Sequence, residues 1–129
     1  MRASFVSSSL AIAFVTLAAC GKAGPVPTGD CTAAQTPAVL AIVTDSVTGL
    51  APAGSASGLA QTGSIVDTMR QWGAQKDSLA GGAVAGSYSV RVTLAGFADW
   101  TRDNIVVSPS GFCSELNTVT LHARLAPPP

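Results

Sequence analysis

Two stretches in the second half of this chain alternate apolar and polar residues, and they constrain the fold more than any other feature. In Ser87–Leu94, Tyr88, Val90, Val92 and Leu94 fall on one side and Ser87, Ser89, Arg91 and Thr93 on the other. In Thr118–Leu125, Val119, Leu121, Ala123 and Leu125 alternate with Thr118, Thr120, His122 and Arg124. A period of two places successive side chains on opposite faces of a strand, with one face buried and one wet. Antiparallel sheets commonly show this pattern, so the expected class is all-β: an antiparallel two-sheet sandwich of about seven strands.

Further strand signals surround these two. Ala38–Thr44 (AVLAIVT) is apolar on both faces, as in an interior strand, and stops at Asp45-Ser46-Val47-Thr48-Gly49. There Asp favours a turn and Gly accepts positive φ. Asn104–Ser108 reads as another strand, turned back by Ser108-Pro109-Ser110-Gly111, and Ala95-Gly96 offers a tight turn. The middle, 51–86, is broken by glycines and reads best as short strands. Ile65–Arg70 also fits a helical turn, which stays open as the alternative.

The N-terminus carries a different signal. Arg2 precedes an apolar run, Leu10–Ala18, of about the length of a signal-peptide core. A membrane span needs roughly 20 apolar residues, and Ser7, Ser8 and Ser9 cut this run short. The run closes on Leu17-Ala18-Ala19-Cys20, which resembles the lipobox of bacterial lipoproteins. That resemblance implies removal of residues 1–19, lipidation of Cys20 by acyl chains such as palmitate, and attachment to the cell envelope through the lipid anchor. One acyl chain binds a membrane only marginally, so stable anchoring needs at least two. Gly21 in place of Asp implies, by similarity to enterobacterial sorting, an outer membrane, with the domain facing the periplasm or the surface.

The expected organisation is a leader over 1–19, a lipidated Cys with a flexible tether over 20–37, a β-sandwich domain over 38–126 and a Pro tail over 127–129. The tether is rich in Gly, Pro, Thr and Ala without apolar period. Its ten residues between Cys20 and Cys31 span at most about 35 Å when extended. Without its leader the chain has six basic and seven acidic residues. Such a balance offers no basic patch to displace counterions, so nucleic acid is not an expected partner.

Three cysteines leave an odd thiol in an exported protein, and lipidation of Cys20 would account for it. Cys31 and Cys113 then remain as a pair able to bridge in an oxidising compartment. Closing a loop of about 80 residues is worth roughly 4 to 5 kcal/mol in the chain-entropy model. Two separate buried thiols are the alternative. A metal site is not expected, because one His and two distant cysteines form no ligand cluster.

The order of motifs is similar to that of the carboxypeptidase regulatory-like domain, a prealbumin-type β-sandwich. It runs from a Cys through an apolar strand ending in Asp45…Thr48-Gly49, a variable middle and Gly86-Ser87-Tyr88-Ser89-Val90-Arg91-Val92. Ala95-Gly96-Phe97, Trp100, a Val-rich strand, Cys113 and a final alternating strand follow. The similarity covers about Thr32 to Pro127 and departs at Ala51–Ser64, where Gly and Ser dilute the family's second strand. Hydroxyisourate hydrolases of the same superfamily use several histidines, an arginine and a C-terminal Tyr-Arg-Gly-Ser segment. This chain has only His122 and ends in Ala126-Pro127-Pro128-Pro129, so the resemblance implies no hydrolase apparatus.

Catalysis is not expected on other grounds either. His122 falls on the outward face of its strand, no serine sits in a Gly-x-Ser-x-Gly elbow, and no phosphate-binding Gly-Lys-Ser/Thr loop occurs. No cofactor is implied. The chain has only two Trp, one Tyr and four Phe, so Trp72 and Trp100 stand out as candidate ligand platforms, since an exposed indole can stack on a sugar ring. Packing at the sheet rim is the competing reading for both. The expected function is a non-catalytic, lipid-anchored interaction or scaffolding module that meets an envelope protein. The alternative is a carbohydrate-binding module that meets a glycan.

Overall fold

A computed structural model describes residues 36–74, 77–111, 113 and 115–129. The chain divides into two compact units, Met1–Asp30 and Cys31–Pro129, and every described residue belongs to the second. Cys20, Cys31 and the leader lie outside the described residues.

The described residues are all-β, with no helix among them. Nine strands follow in order: β1 Val39–Asp45, β2 Ser57–Thr62, β3 Ile65–Gln71, β4 Ser78–Gly81, β5 Gly86–Thr93, β6 Trp100–Val107, β7 Pro109–Ser110, β8 Glu115–Leu116 and β9 Val119–Leu125. Seven form one sheet in the order β6-β5-β2-β3-β4-β1-β9, and β7 and β8 pair separately. The sheet curls until its edge strands β6 and β9 approach each other, giving a nearly barrel-like form.

The expectation of a purely antiparallel sheet is corrected. β1 and β9 run parallel over seven residue pairs, Val39↔Val119 to Asp45↔Leu125, while the other pairings are antiparallel. Alternation reports which face is buried and carries no information on strand direction. Parallel neighbours need a long crossover, and here everything from β2 to β8 serves as one. The sheet is therefore mixed and continuous. β3 is its hinge, pairing with β2 over Ile65–Met69 and with β4 only through Arg70 and Gln71.

The interior is assembled from the alternating residues. Val39, Ala41 and Val43 of β1, Tyr88, Val90 and Val92 of β5, and Ala123 and Leu125 of β9 are buried, with Met69, Leu79, Ile105 and Val107 packed among them. Val119 and Leu121 pack against this core half-buried. These side chains are small, so close packing brings the strands together tightly. At Gly58 an added Cβ would meet the Met69 sulfur at 2.8 Å, and at Gly82 it would meet Ala38 Cβ at 2.7 Å and the Tyr88 hydroxyl at 2.8 Å. Gly82 also has φ +82°, where a side chain is strained.

The middle segment forms short strands, β2 to β4, and Ile65–Arg70 is strand in full. Two connections differ from expectation. β6 starts at Trp100, four residues before the apolar signal, and bulges between its Tyr88 and Val90 pairings, where Asn104 takes φ +57°. After Trp100 its first half, Thr101–Asn104, is polar on both faces, which suits an edge strand and hides it from a search for alternation. Pro109–Ser110, expected as a turn, instead pairs with Glu115–Leu116 in a short hairpin.

The strand directions give the domain two ends. Pro37, the start of β1, the 62–65 turn, the 82–85 loop and the β7–β8 hairpin share one end, called here the tether end. Thr36 and Pro37 are fastened there. The Leu116 N–H donates to Thr36 Oγ1 at 3.1 Å, and the Thr118 hydroxyl donates to the Pro37 carbonyl at 2.7 Å. The last two residues of the expected tether thus belong to the folded domain. The far end holds the 45–50 turn, the β3–β4 connection, the Leu94–Asp99 connection and Ala126.

Candidate functional site

The sequence singled out Trp72 and Trp100, and both lie at the far end. Trp72 follows the last residue of β3, where its backbone N–H donates to the Ser78 carbonyl at 2.9 Å. Its side chain is beyond the paired part of the strand, and the residue is 48% exposed. Trp100 opens β6 opposite Val92 and packs half-buried against the core. In the sheet β5 and β2 lie between the two strands, about 14 Å at the usual ~4.8 Å spacing. The fold does not bring the two indoles into one platform. Trp72 alone presents an open ring.

Between them, the outer face of β3, β2 and β5 carries a shallow hollow of about 260 Å³ lined by Ser57, Gly58, Leu59, Thr68, Arg91 and Thr93. Register explains it. Leu59 stands in one row with Thr68 and Arg91 on the outer face. Arg91 is drawn sideways into an ion pair with Asp99 through both Nε and Nη2, which uncovers part of Leu59. At this volume the hollow falls below the roughly 300–1,000 Å³ of typical small-molecule sites.

Polar groups at the far end serve turns. Asp45 Oδ1 accepts the Val47 N–H at 2.7 Å, and the Gly49 N–H donates to the Asp45 carbonyl at 2.8 Å, with Gly49 at φ +70°. This is the turn role the sequence assigned to Asp45. His122 is exposed on the outer face of β9 between Thr120 and Arg124, as its alternation predicts. The one buried ring with a polar handle, Tyr88, spends its hydroxyl locally. It donates to the Val84 carbonyl at 2.8 Å and accepts the Val84 N–H at 3.4 Å. Among the described residues there is no group of three or more His, Cys, Asp or Glu placed to hold a metal.

Cys113, in the connection between β7 and β8, is half-buried and is not a free thiol. Its expected partner, Cys31, and the expected lipidation residue, Cys20, lie outside the described residues. Among the described residues no helix is long and apolar enough to cross a membrane.

Sequence reasoning missed the apolar side chains left outside the core: Ile65, Val66, Val84 and Val106 at the tether end, and Val47 and Leu50 at the far end. Val106 had a usable signal, since Ile105 and Val107 claim the inner face and leave it outward. No family model matches this chain, and no curated protein matches it.

Proposed function

We propose that this protein is a bacterial lipoprotein, held at the cell envelope through acyl chains on Cys20, whose β domain acts as a non-catalytic interaction or scaffolding module. The carrying observation is Leu17-Ala18-Ala19-Cys20 at the end of a short apolar leader. The make-up of the domain supports the reading. Its core is a set of small aliphatic side chains around Tyr88, and its side-chain hydrogen bonds serve turns and strand connections. In the same reading Cys31 and Cys113 form the disulfide that closes the domain, the outer membrane is the destination, and the curled sheet is a prealbumin-type sandwich. β3 supports that last point, because it pairs with β2 and β4 along separate parts of its length.

Membrane fractionation tests this. Wild-type protein is expected in the membrane pellet and released by detergent. Cys20→Ala is expected as an uncleaved precursor or a soluble exported form. Wild-type protein that stays in the soluble fraction would contradict the anchor.

One observation favours a carbohydrate-binding reading as the second choice: the open ring of Trp72 at the far end. In that version Trp72 stacks on a sugar, with Gln71 beside it as a polar neighbour. Trp100 takes no direct part, because it is committed to the core rim. A pull-down on peptidoglycan with wild-type protein and Trp72→Ala separates the two readings.

A further inference from the structure

The two ends of the domain differ in charge. At the tether end, the segments 36–40, 62–66, 82–87, 104–111 and 116–120 contain no Asp, Glu, Lys or Arg. Glu115 stands by Gly111 in the hairpin. Asp67, one turn-side residue into β3, is partly buried and occupied by the Gly82 N–H at 2.7 Å. The far end carries Asp45, Asp77 and Asp99 in its connections and Arg70, Arg91 and Arg124 within two residues of strand ends.

The same end, with Glu115 of the hairpin as its exposed carboxylate, displays four aliphatic side chains to solvent, Ile65, Val66, Val84 and Val106, between 42% and 69% exposed. They come from three elements that reach this end, with β5 and β2 lying between β3 and β6 in the sheet. Ile65 and Val66 start β3 after the 62–65 turn, and Val84 sits in the β4–β5 loop. Val106 lies opposite Ser87 near the end of β6. The end of β2 and the start of β5 approach closely here, since a Cβ on Gly86 would sit 2.8 Å from Thr62 Oγ1.

We infer that this end is a lipid-contacting surface, seated on the bilayer that holds the protein. The inference rests on the lipoprotein reading above and adds an orientation to it. The chain supplies the occupant. Thr36 and Pro37, the first described residues, are fastened at this end, so the described chain enters the domain on the same side as the apolar side chains. Val47 and Leu50 at the far end are exposed too. They share that end with the Asp45, Asp77 and Asp99 carboxylates, whose desolvation opposes burial in lipid. Aliphatic side chains at an interface sink only to the boundary between headgroups and acyl chains. The patch therefore orients the domain, while the acyl chains hold it.

The test uses full-length lipidated protein reconstituted in phosphatidylethanolamine–phosphatidylglycerol vesicles, its mass measured first. Val84→Cys, Val106→Cys and, at the far end, Val47→Cys each carry one environment-sensitive fluorophore, all at exposed positions. Doxyl-labelled lipid should quench the labels at 84 and 106 several-fold more than the label at 47, with iodide in the water showing the reverse order. Equal iodide quenching at all three positions on protein of lipidated mass would overturn the orientation and leave the anchor standing. Labels at 84 and 106 shielded from both quenchers would mean that a second copy covers the patch, which also overturns it. A mass without lipid on Cys20 would remove the anchor and the inference together.

Discussion

At the tether end the polypeptide is fastened to itself across long stretches of sequence. Thr36 binds Leu116, Pro37 binds Thr118, Asp67 binds Gly82, and Ala38 lies between the backbones of Gly82 and Val119. At the far end most side-chain bonds reach only two to eight residues, Asp45 to Val47, Thr48 to Leu50 and Arg91 to Asp99, with Arg124 on Ser46 the longer exception. The long-range ties there, Ser46 to Leu125 and Ala98 to Ala126, are made by the backbone. The contrast teaches where stability and where adaptability reside. Non-local bonds tie the first and last strands together and break only when the domain opens, whereas local turns can change without disturbing the core. A surface seated on a membrane suits the first end, and a surface that meets partners suits the second.

The largest effect should come from the cysteines. Replacing Cys31 and Cys113 together by Ala should cost about 2–5 kcal/mol, because their bond would close nearly the whole domain as one loop. Chemical denaturation of oxidised wild type against the double variant measures it. An unchanged midpoint would remove the contrast at its strongest point.

Next come the two indoles, which sharpen the comparison within the far end. Trp100→Ala should lose about 2–4 kcal/mol, towards the range for large core truncations, because the half-buried ring packs against the core. Trp72→Ala should lose under about 1 kcal/mol, as expected of an exposed side chain. Thermal melts of both decide it, and a large loss for both would leave the carbohydrate reading without a platform.

A smaller effect is expected at Tyr88. Tyr88→Phe leaves the Val84 carbonyl and N–H without their partner and should cost about 1–2 kcal/mol. Asp45→Ala should be the mildest, about 0.5–1 kcal/mol, because the freed Val47 N–H is exposed and can turn to water. If Asp45→Ala cost more than Tyr88→Phe in the same denaturation series, the assignment of rigidity to the tether end would be reversed.

The strands with a clear apolar face were legible from the residues. β1, β5 and β9 lie within a residue or so of their expected bounds, β5 and β9 because burial on one side forces alternation and β1 because it is apolar on both faces. The start of β6 was not, since Trp100-Thr101-Arg102-Asp103-Asn104 meets solvent at the sheet edge on nearly every residue. β4 was hidden for the opposite reason: Leu79, Ala80 and Gly81 are all buried, so no period survives. The parallel pairing of β1 with β9 has no local signature, because the register joins residues 80 apart. At the candidate site, Asp45 was readable from its turn chemistry. The exposure of Trp72 was not, because it depends on β3 ending one residue earlier. The apolar tips of the tether end emerge only when three distant segments are seen to share one end of the sheet.

The account turns on Cys20, and the mass of the mature N-terminal peptide tests it most directly. The mature chain is expected to begin at Cys20 and to carry a diacylglyceryl group on Sγ, with or without a further acyl chain on its amine. A mature peptide with an unmodified Cys20, or a chain that keeps residues 1–19, would contradict it.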